Sequence, residues 1–102
     1  MIAVIFRAKK RNPDAAYNRM VSRLRELAFD RYGCLEFVTA EQGDLEIAIS
    51  YWANEEAVGR WKQDAEHVLA QELGRGKWYE SYIVQVSEIK RQYRFDSAGS
   101  AE

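Results

Sequence analysis

Leu35-Glu36-Phe37-Val38-Thr39-Ala40, Glu41-Gln42-Gly43-Asp44 and Leu45-Glu46-Ile47-Ala48-Ile49-Ser50-Tyr51-Trp52 follow one another in mid-chain. The outer two segments carry β-branched and aromatic residues at period two, and the middle one is a short polar break with a glycine. That pattern reads as two strands joined in an antiparallel hairpin. On the second strand Leu45, Ile47, Ile49 and Tyr51 share one face, while Ala48, Ser50 and Trp52 share the other.

Working outward, Tyr32-Gly33 precedes the hairpin as a helix stop, glycine suiting the left-handed cap. Before it, Tyr17, Met20, Leu24, Leu27 and Ala28 recur at three and four, with Arg19, Arg23, Arg25 and Glu26 on the other side, so an amphipathic helix is expected. Asn12-Pro13-Asp14 reads as its start, with Asn12 as N-cap and Pro13 at the first helical position. Ile2 to Lys9 alternates as a first strand. After the hairpin, Asn54-Glu55-Glu56 opens a second helix with a capping Asn and two acids against the dipole. Its apolar stripe is Ala57, Val58, Trp61, Ala65, Val68 and Leu69, and Leu73-Gly74-Arg75-Gly76 ends it. Ile83 to Ile89 is a last strand. Residues 1–93 thus read as one domain and 94–102 as a loose polar tail.

Strand, helix, strand, strand, helix, strand is the split βαβ order of an α+β ferredoxin-like βαββαβ fold: a four-stranded antiparallel sheet with two helices on one face. Two helices cover only one side of that sheet, yet the strands carry Ile, Val, Ala or Trp on both. A second copy, sheet against sheet, is the simplest cover, so a homodimer closing into an α/β barrel is expected.

The balance of 15 basic to 16 acidic residues in 102, net charge −1, gives no long-range pull on nucleic acid or on an anionic membrane. No apolar run approaches a membrane span, the N-terminus lacks a secretory layout, and the expected location is cytoplasmic. Cys34 is the single cysteine, which excludes an internal disulfide or a Cys-based metal cage. Its plainer reading is a small half-buried residue near a strand start rather than a reactive thiol.

The third of the chain from Tyr51 to Tyr82 holds all three tryptophans, the only histidine and half of the six tyrosines. Trp61 sits within the stripe of the second helix as core plug or cavity wall. Trp52, Trp78 and Tyr79 are harder to absorb as core in so small a domain, and an aromatic-walled pocket for a flat small molecule explains them together. His67 falls on a polar flank with Arg60, Asp64 and Gln71. It reads either as a solvent-facing histidine beside Asp64 or as a base at the pocket rim. Tyr79 and Tyr82 are ordinary strand residues or donors to a ligand oxygen. No metal-ligand spacing is present, and Gly74-Arg75-Gly76-Lys77 is a helix stop rather than a phosphate loop.

Tyr51-Trp52-x-Asn54-Glu55-Glu56-Ala57, Trp61-x5-His67 and Gly74-Arg75-x-x-Trp78-Tyr79-x-x-Tyr82 together resemble the antibiotic biosynthesis monooxygenase domain family. The resemblance implies a dimeric ferredoxin-like barrel oxidising a phenol, quinol or anthrone with oxygen and no cofactor. In it Trp61 and His67 would be catalytic, and Trp52, Arg75, Trp78, Tyr79 and Tyr82 would bind substrate. A heme-degrading branch of the same family resembles the chain less. Phe6 and Arg7 stand where that branch has a first-strand asparagine, and Gln71 stands where its axial histidine belongs. The competing class is a non-catalytic small-molecule-binding or scaffold module whose aromatic cluster is mainly core.

Overall fold

The computed structural model describes residues 1–71, 74–98 and 100–101. Its elements run β1 (Ile2–Lys10), α1 (Ala15–Tyr32), β2 (Glu36–Gln42), β3 (Leu45–Trp52), α2 (Glu55–Gln71), α3 (Gly74–Trp78), β4 (Tyr79–Glu88), β5 (Phe95–Asp96) and β6 (Ser100–Ala101). β1 to β4 form one antiparallel sheet in the order β2-β3-β1-β4. This is the α+β ferredoxin-like topology expected from the hairpin and its flanks.

The helix ends follow from local chemistry. Gly33, at φ +73°, takes the left-handed cap after α1, where a side chain would be strained. The start of α1 differs from the expectation on Asn12 and Pro13. Asp14 is the N-cap, its carboxylate accepting from the Tyr17 backbone N–H at 2.9 Å, and Asn12 instead turns the chain at φ +44°. Asn12 and Asp14 are both capping-competent, and the one whose side chain also accepts from Trp78 is the cap. At α2, Asn54 caps as expected, accepting from Ala57 N–H at 2.9 Å. Of the expected stop after α2, Leu73 lies outside the described residues, and the glycines beyond it belong to α3 rather than to a loop. In the polar tail, β5 and β6 pair as a small hairpin, with Tyr93 and Phe95 exposed; Gly99 and Glu102 lie outside the described residues.

Strand parity separates the two faces of the sheet. Ile2, Val4 and Ala8 of β1 and Glu46, Ser50 and Trp52 of β3 are buried on the helix side. The core there is split. Ile2, Val4, Ala28, Cys34, Trp52 and Val58 cluster at one end, and Ala8, Tyr17, Met20, Val68, Trp78 and Tyr79 at the other. On the opposite face the cross-strand rows Val38-Ile49-Ile5 and Ala40-Ile47 run beside Tyr51 and Ile83, with no helix over them among the described residues. Val38 and Ile83 are each 46% exposed there. No helix among the described residues is long and apolar enough to cross a membrane.

Candidate ligand cavity

Between the two core clusters lies a cavity of about 140 Å³. Its floor is built from aligned cross-strand positions: Thr39, Ala48, Phe6 and Val84 in one row, and Phe37, Ser50, Val4 and Val86 in the next. Ala48 and Ser50 are short, so the sheet does not fill the space beneath the helices. The roof is Val21 and Leu24 from α1 and Val58, Trp61, Lys62, Ala65 and Glu66 from α2. Those α2 positions recur at three and four, one stripe along the helix. Val84 and Val86 remain 39% and 48% exposed, so the cavity opens along β4.

Tyr79 and Tyr82 both line the cavity although three residues apart on one strand. Lys9 pairs with Ser81 but Lys10 with Tyr79, so an irregularity at Glu80 shifts the register by one. The shift turns Tyr79 to the helix side, a recognised use of a β-bulge. Phe6, Tyr79 and Tyr82 then meet with ring centroids 5.5 to 5.7 Å apart. At the other end Trp61 packs against Trp52 at 5.3 Å and Phe37 at 6.3 Å.

One wall group is a carboxylate. Glu46, 5% exposed, lines the cavity where Ala8 and Tyr82 continue its row, and the hydroxyl of Tyr17 donates to its Oε2. Burial, and then the bond to Glu46, push the Tyr17 phenol well above the ordinary tyrosine range. Burial pushes Tyr79 up to about 12, although its interaction with Tyr17 pulls the other way. Both phenols are therefore neutral donors at neutral pH. Lys10, whose ammonium lies 5.8 Å from the Tyr17 ring centroid, is bonded at 2.8 Å to Glu41.

The residues singled out in the sequence divide into two groups. Trp61, Tyr79 and Tyr82 border the cavity. The Trp61 indole N–H is directed to the Leu24 carbonyl at 3.1 Å, so the ring offers its face rather than its donor. Trp52 and Trp78 do not border it; both are fully buried core. As at Trp61, each indole N–H has a partner inside the fold; what separates these two rings is complete burial against half-burial. Trp52 donates to Ser50 Oγ at 2.8 Å, and Trp78 to Asp14 Oδ1 at 3.1 Å. Asp14, held below the usual carboxylate range first by the Tyr17 backbone N–H, also faces Lys77 at 3.6 Å. His67 is exposed on α2 outside the lining, where Lys62 and Glu66 take the mouth positions. Arg75 belongs to α3, but its side chain lies outside the described ones, as does that of Gln71. Glu46 and Tyr17 were not singled out. The available signal was parity: Glu46 shares the face of Ala48, Ser50 and Trp52. Among the described residues, no group of three His, Cys, Asp or Glu is placed to hold a metal ion.

Over 94 residues the chain is 38% identical to the uncharacterized protein YqjZ of Bacillus subtilis, covering 91% of this chain and 82% of that one. The chain belongs to the family of YqjZ. This YqjZ-family chain also matches jasmonate monooxygenase ABM of Pyricularia oryzae, with 30% identity over 56 residues, covering 55% of this chain and 26% of that protein. In three dimensions the YqjZ-family chain resembles SnoaB from Streptomyces nogalater, a cofactor-independent oxygenase, with a TM-score of 0.71 at 11% identity, covering 89% and 94% of the two chains. At that identity the likeness is one of fold. No family model matches the chain.

Proposed function

We propose that the protein is a cofactor-independent monooxygenase acting in the cytoplasm on a small aromatic phenol, quinol or anthrone-like substrate bound in the cavity. The observation that carries this reading is a mostly apolar cavity whose lining includes the buried Glu46, Ser50 and Tyr79 and the half-buried Tyr82, in the fold shared with SnoaB. The inner end of such a cavity places a ligand among apolar side chains and offers donors to a developing oxyanion. The partial likeness to jasmonate monooxygenase ABM supports the same reaction class.

The size of the cavity limits the substrate. About 140 Å³ is near the ~150 Å³ that holds a benzene in an apolar protein cavity, so one ring is enclosed and any second ring extends along the open β4 side. Trp61 walls one end, and Tyr79 and Tyr82 wall the other. With an anthrone-like substrate, the substrate supplies the electrons: its methylene carbon becomes a carbonyl, one atom of O2 is retained and the other leaves as water.

We place a second copy of the chain on the bare sheet face, where Val38 is exposed and Ile5, Ile47 and Ile49 are half-buried. Oxygen uptake by flavin-free, chelator-treated protein with a panel of anthrones, naphthols and hydroquinones tests the function. Uptake that leaves one labelled oxygen atom in the product supports it. Saturable binding with no uptake across the panel would make the protein a binding module instead.

A further inference from the structure

Glu46 is the least expected side chain on the helix side of the sheet. Its neighbours of the same parity on β3 are Ala48, Ser50 and Trp52, all neutral. Burying a carboxylate in apolar surroundings is costly unless a cation or several donors match it. Among the described residues Glu46 makes no ion pair; its bond is to the neutral hydroxyl of Tyr17. The nearby Lys10 ammonium is engaged by Glu41. Tyr17 takes Oε2 and fixes the rotamer, and a carboxylate retains acceptor capacity beyond one such bond. The group therefore stands oriented and buried in the wall of a mostly apolar cavity, which two phenols also line.

We propose that Glu46 is the proton acceptor of this cavity, removing a proton from a carbon beside a carbonyl, with the phenols of Tyr79 and Tyr82 donating to the oxygen that gains the charge. This rests on the cavity being the ligand site, as in the reading above, and narrows its ligand to an enolisable aromatic ketone. In the step the C–H bond breaks and its electron pair becomes the C=C bond of the enolate. The carbonyl π pair moves onto oxygen, and the proton goes to a Glu46 oxygen. Reversal returns a proton to carbon. No oxidant is consumed, so the step is separable from any later reaction with oxygen. Tyr79, held neutral by its burial, is suited to donate to the enolate rather than to ionise beside it. Tyr17 acts through Glu46 and is a positioning residue.

The test is exchange of the α-protons of β-tetralone for deuterium, followed by proton NMR in D2O under argon. Wild-type protein is expected to accelerate exchange above buffer. Glu46→Gln, close in shape, is expected to lose roughly 100-fold or more of that acceleration while still binding β-tetralone, as general-base loss predicts. Glu46→Asp, which keeps the charge and withdraws it by one methylene, should give an intermediate rate and covers the case in which the amide variant does not fold. Tyr17→Phe should lower the turnover number more than the KM. Exchange by Glu46→Gln at the wild-type rate would overturn the assignment. If the wild type binds β-tetralone and consumes oxygen with an aromatic substrate but exchanges no protons, the Glu46 role fails alone. If it neither binds nor exchanges, the cavity reading fails and takes the assignment with it.

Discussion

Tyr17 of α1 and Glu46 of β3 meet inside the fold, the phenol hydroxyl donating to carboxylate Oε2 across 29 residues of sequence. The bond ties the first turns of α1 to the sheet and holds a carboxylate at the edge of an apolar cavity. Tyr17→Phe leaves that carboxylate without its donor and is expected to cost ~1–3 kcal/mol, the range for orphaning a buried polar group. In the Glu46→Gln background the same change should cost less, because an amide is cheaper to leave unsatisfied than a charge. Urea unfolding of the four proteins of this cycle measures the difference.

Trp52 and Trp61 touch, yet their truncations should differ. Trp52→Ala removes a fully buried ring and leaves Ser50 without its donor, so ~3–5 kcal/mol is expected. Trp61 is half-buried with one side on a void that already exists, so Trp61→Ala should cost less and abolish ligand binding. Thermal melts with and without β-tetralone separate the two effects.

Ala48 lies in the cavity floor between Thr39 and Phe6. Ala48→Leu places three more carbons in space the native fold leaves open, so it should be tolerated within about 1–3 kcal/mol while blocking the ligand. A folded Ala48→Leu protein that binds aromatics as well as the wild type would contradict the location of the site.

Much of this was legible from residue pattern. The hairpin from Leu35 to Trp52, the helix stripes, Gly33 and Asn54 each act through neighbours close in sequence, and period and capping chemistry report such effects. The fates of Trp52 and Trp78 were not legible. Whether an indole lines a cavity or fills core depends on which distant elements pack around it, and Trp78 meets Asp14, 64 residues away, and the ring of Tyr17. Tyr79 reached the cavity through a register shift against β1, which strand alternation alone places on the wrong face. Glu46 was readable by parity, yet a lone acid in an alternating strand ordinarily marks the solvent side.

Alkaline stability follows from Tyr79. Its folded value near 12 exceeds the usual tyrosine value of about 10. Below about pH 10 folded and unfolded chains both keep the proton, and between about 10 and 12 the unfolded chain releases it first. Stability therefore falls as pH rises through that window, by about 3 kcal/mol from this group, and Tyr17 adds in the same direction. Tyr79→Phe should flatten the decline when unfolding is followed by circular dichroism.

The bare sheet face gives an assembly prediction. If a second copy covers it, the wild type should scatter light as a dimer at micromolar concentration. Ile49→Glu, at the centre of the uncovered rows, should shift it to monomer with the fold retained. A wild-type monomer at that concentration would contradict the predicted pairing.

The most direct test of the ligand site is a titration of the protein with β-tetralone, followed through the indole N–H signals of its three tryptophans. The account predicts a saturable shift of the Trp61 signal, with the Trp78 signal, bonded to Asp14 away from the cavity lining, nearly unmoved. No saturable change at Trp61, or a change confined to Trp78, would contradict it.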